Sequence, residues 1–402
     1  MRILCVSAPL PGHLDWGGYL ATAAELQRRG HTLLWASGKA VVAPIQQAGV
    51  PFHLLAETGW RWPPPAPLPP PTPENQEQWQ RVRTLRALDQ WLEVDRVQAA
   101  VEALYDLARQ WRAEVILSEM FVAAAGIVAE MANIPLIVAG WPAQAVKLRR
   151  PDSLIDEARQ RLDHLLKYNQ VDGINWSPVG PPTLLSPDLH LSYWSPSWFE
   201  VESMLEQTRH VGGVATAALP PDPSFPSVDD RPWVLITLGT SFGNDPNFFV
   251  AAAHATDRLG CIPIVVLGGQ IVGESVKALL SKLPVSTQVR QQVDFQAVLP
   301  YTAAAIHHGG AGTTHALVTR AVPQILVPHA ADQQRQAQGV VRSGVGLAFA
   351  AKEVTIELLE DALAAILPDL SSYRSAALQL RDEFAQLGGV EAAAQWVEKR
   401  IL

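Results

Sequence analysis

The stretch AAAIHHGGAGTTHALVTR, residues 303–320, joins an unbroken apolar run to a polar-capped helical pattern through three glycines. AAAIHH has the profile of a buried strand, and TTHALVTR opens a helix with Thr313 or Thr314 as its N-cap. Gly309, Gly310 and Gly312 fall in the turn. Without Cβ atoms, such a turn lets a ligand approach the backbone, and the first N–H groups of the helix point at it. This is the physics of a phosphate cradle: the helix dipole contributes ~0.3–1 kcal/mol, and each hydrogen bond to a charged oxygen about 1.5–3 kcal/mol. His307 or His308 would add imidazole donors. The same stretch also reads as a tight strand-to-helix turn whose histidines are satisfied internally, and by itself it leaves both readings open. Adjacent histidines with no cysteine or carboxylate at ligand spacing do not make a zinc site, and the G-x-G-x-x-G dinucleotide fingerprint is absent.

The chain around it alternates strand and helix. AVPQILVP ends a further buried strand at Pro328, with Asp332 and Gln333 just beyond. In an open parallel sheet the carboxyl ends of neighbouring strands line one crevice. Asp332 and Gln333 would then sit beside the cradle, suited to sugar hydroxyls or, equally, to capping a helix. WVLITLGTSFG and CIPIVVLGG supply earlier strands of the same half. Near the N-terminus, RILCVSA, YLATAAELQRRG and HTLLWAS make a strand–helix–strand unit, and AEVILSE, VAAAGIVAEMAN and IPLIVAG repeat it. Residues 74–112 read as helix. Eight prolines in residues 63–73 exclude a regular element there and mark a surface loop.

A second proline cluster, LPPDPSFPSVDDRP at 219–232, has the composition of a linker. The expected organisation is an α/β chain of two Rossmann-like parallel-sheet domains facing a cleft: 1–218, the linker 219–232, 233–388, and a C-terminal helix over 389–402.

At 402 residues, two domains of about 200 residues are the natural division. With 48% apolar and 17% charged residues the chain can build large cores and is not of the disordered class. A net charge of −8 gives no basic footprint, so nucleic acid is not an expected partner. The two cysteines, Cys5 and Cys261, lie in apolar runs and read as buried thiols of a reducing compartment. The apolar run at the N-terminus is too short for a signal peptide. The longest apolar region, 115–141, carries Glu119 and Glu130, which argues against a transmembrane helix. A cytoplasmic location is expected, with peripheral membrane contact left open.

Taken in order, H-H-G-G-x-G-T, V-P, D-Q and G-x-G across residues 292–346 resemble the donor-binding signature of the UDP-glycosyltransferase superfamily. These are inverting enzymes of the two-domain GT-B fold, and the looser N-terminal match extends the resemblance over nearly the whole chain. It implies that the second domain binds a UDP- or dTDP-sugar as co-substrate, without a metal or other cofactor. Val293 would offer its backbone to the base, with Gln292 where many relatives stack a tryptophan. His307 would donate to the diphosphate, with His308, the backbone around Gly310 and Gly312, and Thr313 completing the cradle. His315 falls where relatives use a glutamate against the ribose. Asp332 and Gln333 would hold the transferred sugar, and Thr240 and Ser241 would approach the diphosphate.

In the first domain the resemblance gives His13 the role of catalytic base. An imidazole with an ordinary pKa of ~6.5 suits removal of a proton from an acceptor hydroxyl, and it needs a carboxylate to fix its tautomer. Glu119 stands at the position of the family's aspartate, and Asp15 is a rival partner. Trp16, Trp60 and Trp141, with Trp62, Trp194 and Trp198, fall near loops or strand ends and would line a site for a small lipophilic acceptor, or else belong to ordinary core and rim. The expected activity is hexosyl transfer from a nucleotide sugar to a hydroxyl. A nucleotide-sugar epimerase and a non-catalytic nucleotide-sugar-binding protein are the alternatives.

Overall fold

The computed structural model describes the chain except residues 16, 64, 66–67, 70, 147–152, 200–202, 221–224, 226–230, 241–244, 269–270, 272, 330, 369–370 and 402, and the side chains of 15, 153, 331, 332 and 401. It divides into two compact units. The first comprises Met1–Tyr193, Val201–Val211 and Val390–Leu402; the second comprises Trp194–Glu200 and Gly212–Gly389. The change of unit therefore begins at Trp194 and is complete at Gly212, ahead of the proline cluster at 219–232. Trp194 and Trp198 do not belong to the first unit: they stack at 4.6 Å and pack against Phe384 of the second.

In the first unit the strands are β1 (Arg2–Val6), β2 (Thr32–Ser37), β3 (Phe52–Leu54), β4 (Val115–Ser118), β5 (Leu136–Gly140), β6 (Leu189–Ser192) and β7 (Thr208–His210), in the order β3-β2-β1-β4-β5-β6-β7. Every pairing is parallel. β4 and β5 are buried at every position, because helices cover both faces of a parallel sheet and leave no polar side. The helix Tyr19–Arg28 buries Tyr19, Thr22, Ala23 and Leu26, a helical spacing that seats it on the sheet.

Residues 74–112, read as helix, form two helices, Gln76–Asp89 and Val94–Trp111. Glu93 is extended, and its carboxylate accepts the Asp95 and Arg96 N–H groups, which starts a new helix. The C-terminal helix Gly389–Ile401 packs through residues of the first unit. Glu398 meets Arg29 at 3.1 Å and His31 at 3.0 Å, and the Arg209 guanidinium lies 4.7 Å from the Trp396 ring centre. His31 and Arg29 hold the Glu398 carboxyl below the usual carboxylate range.

The second unit holds β8 (Trp233–Thr237), β9 (Ile262–Val266), β10 (Gln288–Arg290), β11 (Thr302–His307), β12 (Gln324–Leu326) and β13 (Gly346–Ala348), ordered β10-β9-β8-β11-β12-β13 and again parallel. Apolar clusters cover both faces: Val234, Ile236 and Ile306 on one, Trp233, Leu235 and Ala305 on the other. The carboxyl ends of β8, β11 and β12 are therefore neighbours. No helix among the described residues is long and apolar enough to cross a membrane.

Candidate active site

In the first unit, the loops that leave β1 and β4 meet around one carboxylate. Glu119 follows Ser118 at the end of β4 and is wholly buried. One oxygen, Oε1, accepts the Ala8 N–H at 3.1 Å and faces His13 Nδ1 at 3.1 Å; the other accepts the Phe121 N–H at 2.7 Å. A buried carboxylate persists only when its oxygens are matched by donors, and these three fix its position.

His13 lies in the short helix Pro11–Asp15, with its side chain 13% exposed. With Nδ1–H donating to Glu119, the neutral ring carries its lone pair on Nε2. The rings of Trp60, edge-on at 5.0 Å, and Phe121, at 5.5 Å, flank the imidazole. The loop bearing Trp60 is held by Glu57, which accepts the Thr58 and Gly59 N–H groups and pairs with Arg96.

Of the two carboxylates weighed for His13, Glu119 makes the contact; the Asp15 side chain lies outside the described residues, as does all of Trp16. Trp141 is 5% exposed, and its carbonyl accepts from His190 Nδ1 at 3.3 Å. It belongs to the interior of the unit and offers little surface to an acceptor. Phe121 was missed from sequence because nothing in its spacing distinguishes it from core.

In the second unit the glycine turn is built around two histidines with different surroundings. His307 ends β11 and is wholly buried. Its Nδ1 accepts the Gly309 N–H at 3.2 Å and its Nε2 donates to Gln324 Oε1 at 3.0 Å. Both nitrogens are thus used inside the protein, which corrects the expectation that His307 donates to a ligand. It shapes the turn. Burial pushes its pKa down to about 4, so it is neutral.

His308 is 6% exposed, and its Nδ1 has no hydrogen-bond partner among the described residues. A hydrogen bond links its ring to the Thr237 backbone, and burial, with His307 and His329 nearby, lowers its pKa to about 3. A Cβ on Gly239 would lie 2.5 Å from the ring, and one on Gly310 also 2.5 Å. These glycines are the two walls that leave room for it. Gly310 has φ −62°, open to any residue, so only space requires glycine there.

The helix Ala311–Thr319 is capped by Gly310 with no side-chain hydrogen bond, which corrects the expected threonine cap. Thr313 lies in the first turn, as does Gly312, and Thr314 Oγ1 turns back to the Gly310 carbonyl at 2.9 Å. The cap residue thus gives no side-chain hydrogen bond to the first amides of this helix, an arrangement that suits an anion.

The other predicted donor-site residues divide. Gln333 is buried, and its Oε1 accepts the His329 N–H at 2.7 Å. Thr240 is exposed in the loop after β8, Val293 packs against the Trp233 cluster, and Ser241 and the Asp332 side chain lie outside the described residues. His315 is committed elsewhere: its Nε2 faces the Gly212 carbonyl at 3.4 Å and its ring stands edge-on to Trp194 at 5.4 Å. His329 and Asp245, which sequence reading did not single out, lie at the ends of the same neighbouring strands.

Two all-parallel sheets with the orders given above make up the GT-B fold. Solved structures bear out the architecture: the chain matches a kitacinnamycin glycosyltransferase with a TM-score of 0.79 at 21% identity, covering 100% of this chain and 99% of that one. The spinosyn rhamnosyltransferase SpnG complexed with thymidine diphosphate matches with a TM-score of 0.70 at 21% identity, covering 99% and 100%.

Residues 265–396 match the erythromycin biosynthesis protein CIII-like C-terminal domain. The NDP-glycosyltransferase YjiC of Bacillus subtilis (strain 168) is 24% identical over 99% of this chain and 96% of its own length. The chain is a glycosyltransferase, similar to NDP-glycosyltransferases of natural-product pathways.

Proposed function

We propose that this enzyme transfers a sugar, with inversion, from a uridine or thymidine diphosphate sugar to a hydroxyl of a small, largely apolar acceptor. The observation that carries the reading is the His13–Glu119 pair, 3.1 Å apart, with the carboxylate fixed by two backbone amides. His13 Nε2 takes the proton of the acceptor hydroxyl. The oxygen attacks the anomeric carbon as the bond from that carbon to the diphosphate oxygen breaks, and its electron pair leaves with the diphosphate. The imidazolium so formed is stabilised by Glu119.

The leaving group is met by the amides that open the helix Ala311–Thr319, beside the His308 ring that Gly239 and Gly310 leave room for. No metal step enters this reading. His307 acts by holding the turn, and Gln333 and Asp332 are the residues assigned to hold the transferred sugar. Trp60 and Phe121 favour an apolar acceptor beside the base. The test is stereochemical: proton NMR of donor and product from one turnover mixture. Opposite anomeric configurations are expected; retained configuration would remove the single-displacement mechanism.

A further inference from the structure

The carboxyl ends of β8, β11 and β12 carry a third imidazole close to the glycine turn. His329 follows β12, and Asp245 caps the helix Pro246–Arg258 that follows β8. His329 Nδ1 lies 2.7 Å from the Val327 carbonyl oxygen, and Nε2 lies 3.5 Å from Asp245 Oδ2. A carbonyl and an ionised carboxylate only accept, so the ring satisfies both when each nitrogen bears a proton. A ring that donates to both is the imidazolium.

Its setting suits a charge. The side chain is 17% exposed, in contrast to the buried His307 and His308, and Asp245 is 34% exposed. The second oxygen of Asp245 accepts the Phe248 N–H at 3.2 Å, and the His329 backbone N–H is held by Gln333. The Nε2 contact is at the long end of the hydrogen-bond range, so this N–H can turn to a stronger acceptor. Beside it, His308 has a buried Nδ1 without a partner among the described residues.

We propose that His329, with Asp245 as its resting counter-charge, is a cationic diphosphate-binding residue of the donor site. It supplies the full positive charge that neutral His308 and the helix amides lack. As the sugar–oxygen bond breaks, negative charge grows on the diphosphate, and a charge-assisted hydrogen bond there strengthens. The inference rests on the donor-site reading above, and the experiment separates the two.

Calorimetry of the full chain with UDP, UMP and uridine, repeated with the thymidine series, tests it. Donor-site binding itself requires that one diphosphate bind the wild type more tightly than its nucleoside; no heat with either series would end that reading. Given binding, His329→Gln is expected to weaken the diphosphate about tenfold or more while leaving the nucleoside within about threefold. An unchanged diphosphate-to-nucleoside ratio in H329Q would overturn the assignment. Asp245→Asn keeps an oxygen for the Phe248 N–H and removes only the competing charge. It is expected to hold or tighten diphosphate binding, also where H329Q does not fold, and a tenfold loss in D245N would equally overturn the assignment.

Discussion

The histidine of the first unit and the histidine pair of the second begin from the same side chain and end in different chemistry. His13 is 13% exposed and touches a carboxylate. His307 and His308 are buried against amides, carbonyls and glycines, with pKa values lowered to about 4 and about 3. Burial without a negative partner penalises the charged ring; a carboxylate at hydrogen-bond distance stabilises it. The first setting suits a group that must accept a proton during the reaction, and the second suits a group that never changes charge.

The contrast can be broken most forcefully at His13. His13→Ala is expected to lower kcat by about 10²–10⁴-fold while donor binding, read by calorimetry, stays within a few-fold. Transfer at the wild-type rate would show that the carboxylate pair has no part in proton removal. The next effect is steric and lies in the second unit. Gly310→Ala introduces a Cβ 2.5 Å from His308 Nε2, at a backbone angle alanine tolerates. Displacing the ring should raise the donor KM about tenfold, with the melting temperature little changed. An unaltered donor KM would deny His308 its place in the cradle.

The smallest effect sharpens the electrostatic half of the comparison. His307 is neutral in the fold down to about pH 4, whereas in the unfolded chain it takes a proton below its ordinary value near 6.5. The unfolded state then binds more protons, so stability falls as pH drops from about 6.5 toward about 4. At pH 5.5 this one group costs about 1 kcal/mol. Denaturant midpoints at pH 7.5 and 5.5 should converge more closely in His307→Gln than in the wild type. Equal acid sensitivity in both would mean that the buried ring is not a source of it.

Much of the second unit was legible in the chain because its signals are local. A buried parallel strand is a continuous apolar run, and three glycines between such a run and a helix have few other uses. The cap was misassigned because threonine is a common N-cap, yet here Gly310 takes that position and the threonines fall within the first turn. Which of two adjacent histidines faces the core could not be read. Neighbours along a strand alternate sides, and only the pairing of β11 with β8 and β12 placed His307 inside. The surroundings of His315 are hidden from the sequence for a related reason: they come from Trp194, Gly212 and Phe384, none of them near it in sequence.

Composition and periodicity alone determined that this protein is an α/β chain with two layered cores, a glycine turn able to meet an anion, and a histidine after the first strand. They did so because each is written within a few consecutive residues. Tertiary structure decided which partner each imidazole has: Glu119 for His13 across the β1–β4 pairing, Gln324 for His307, Asp245 for His329. Those partners lie 106, 17 and 84 residues away, and a proton's affinity depends on distance through space.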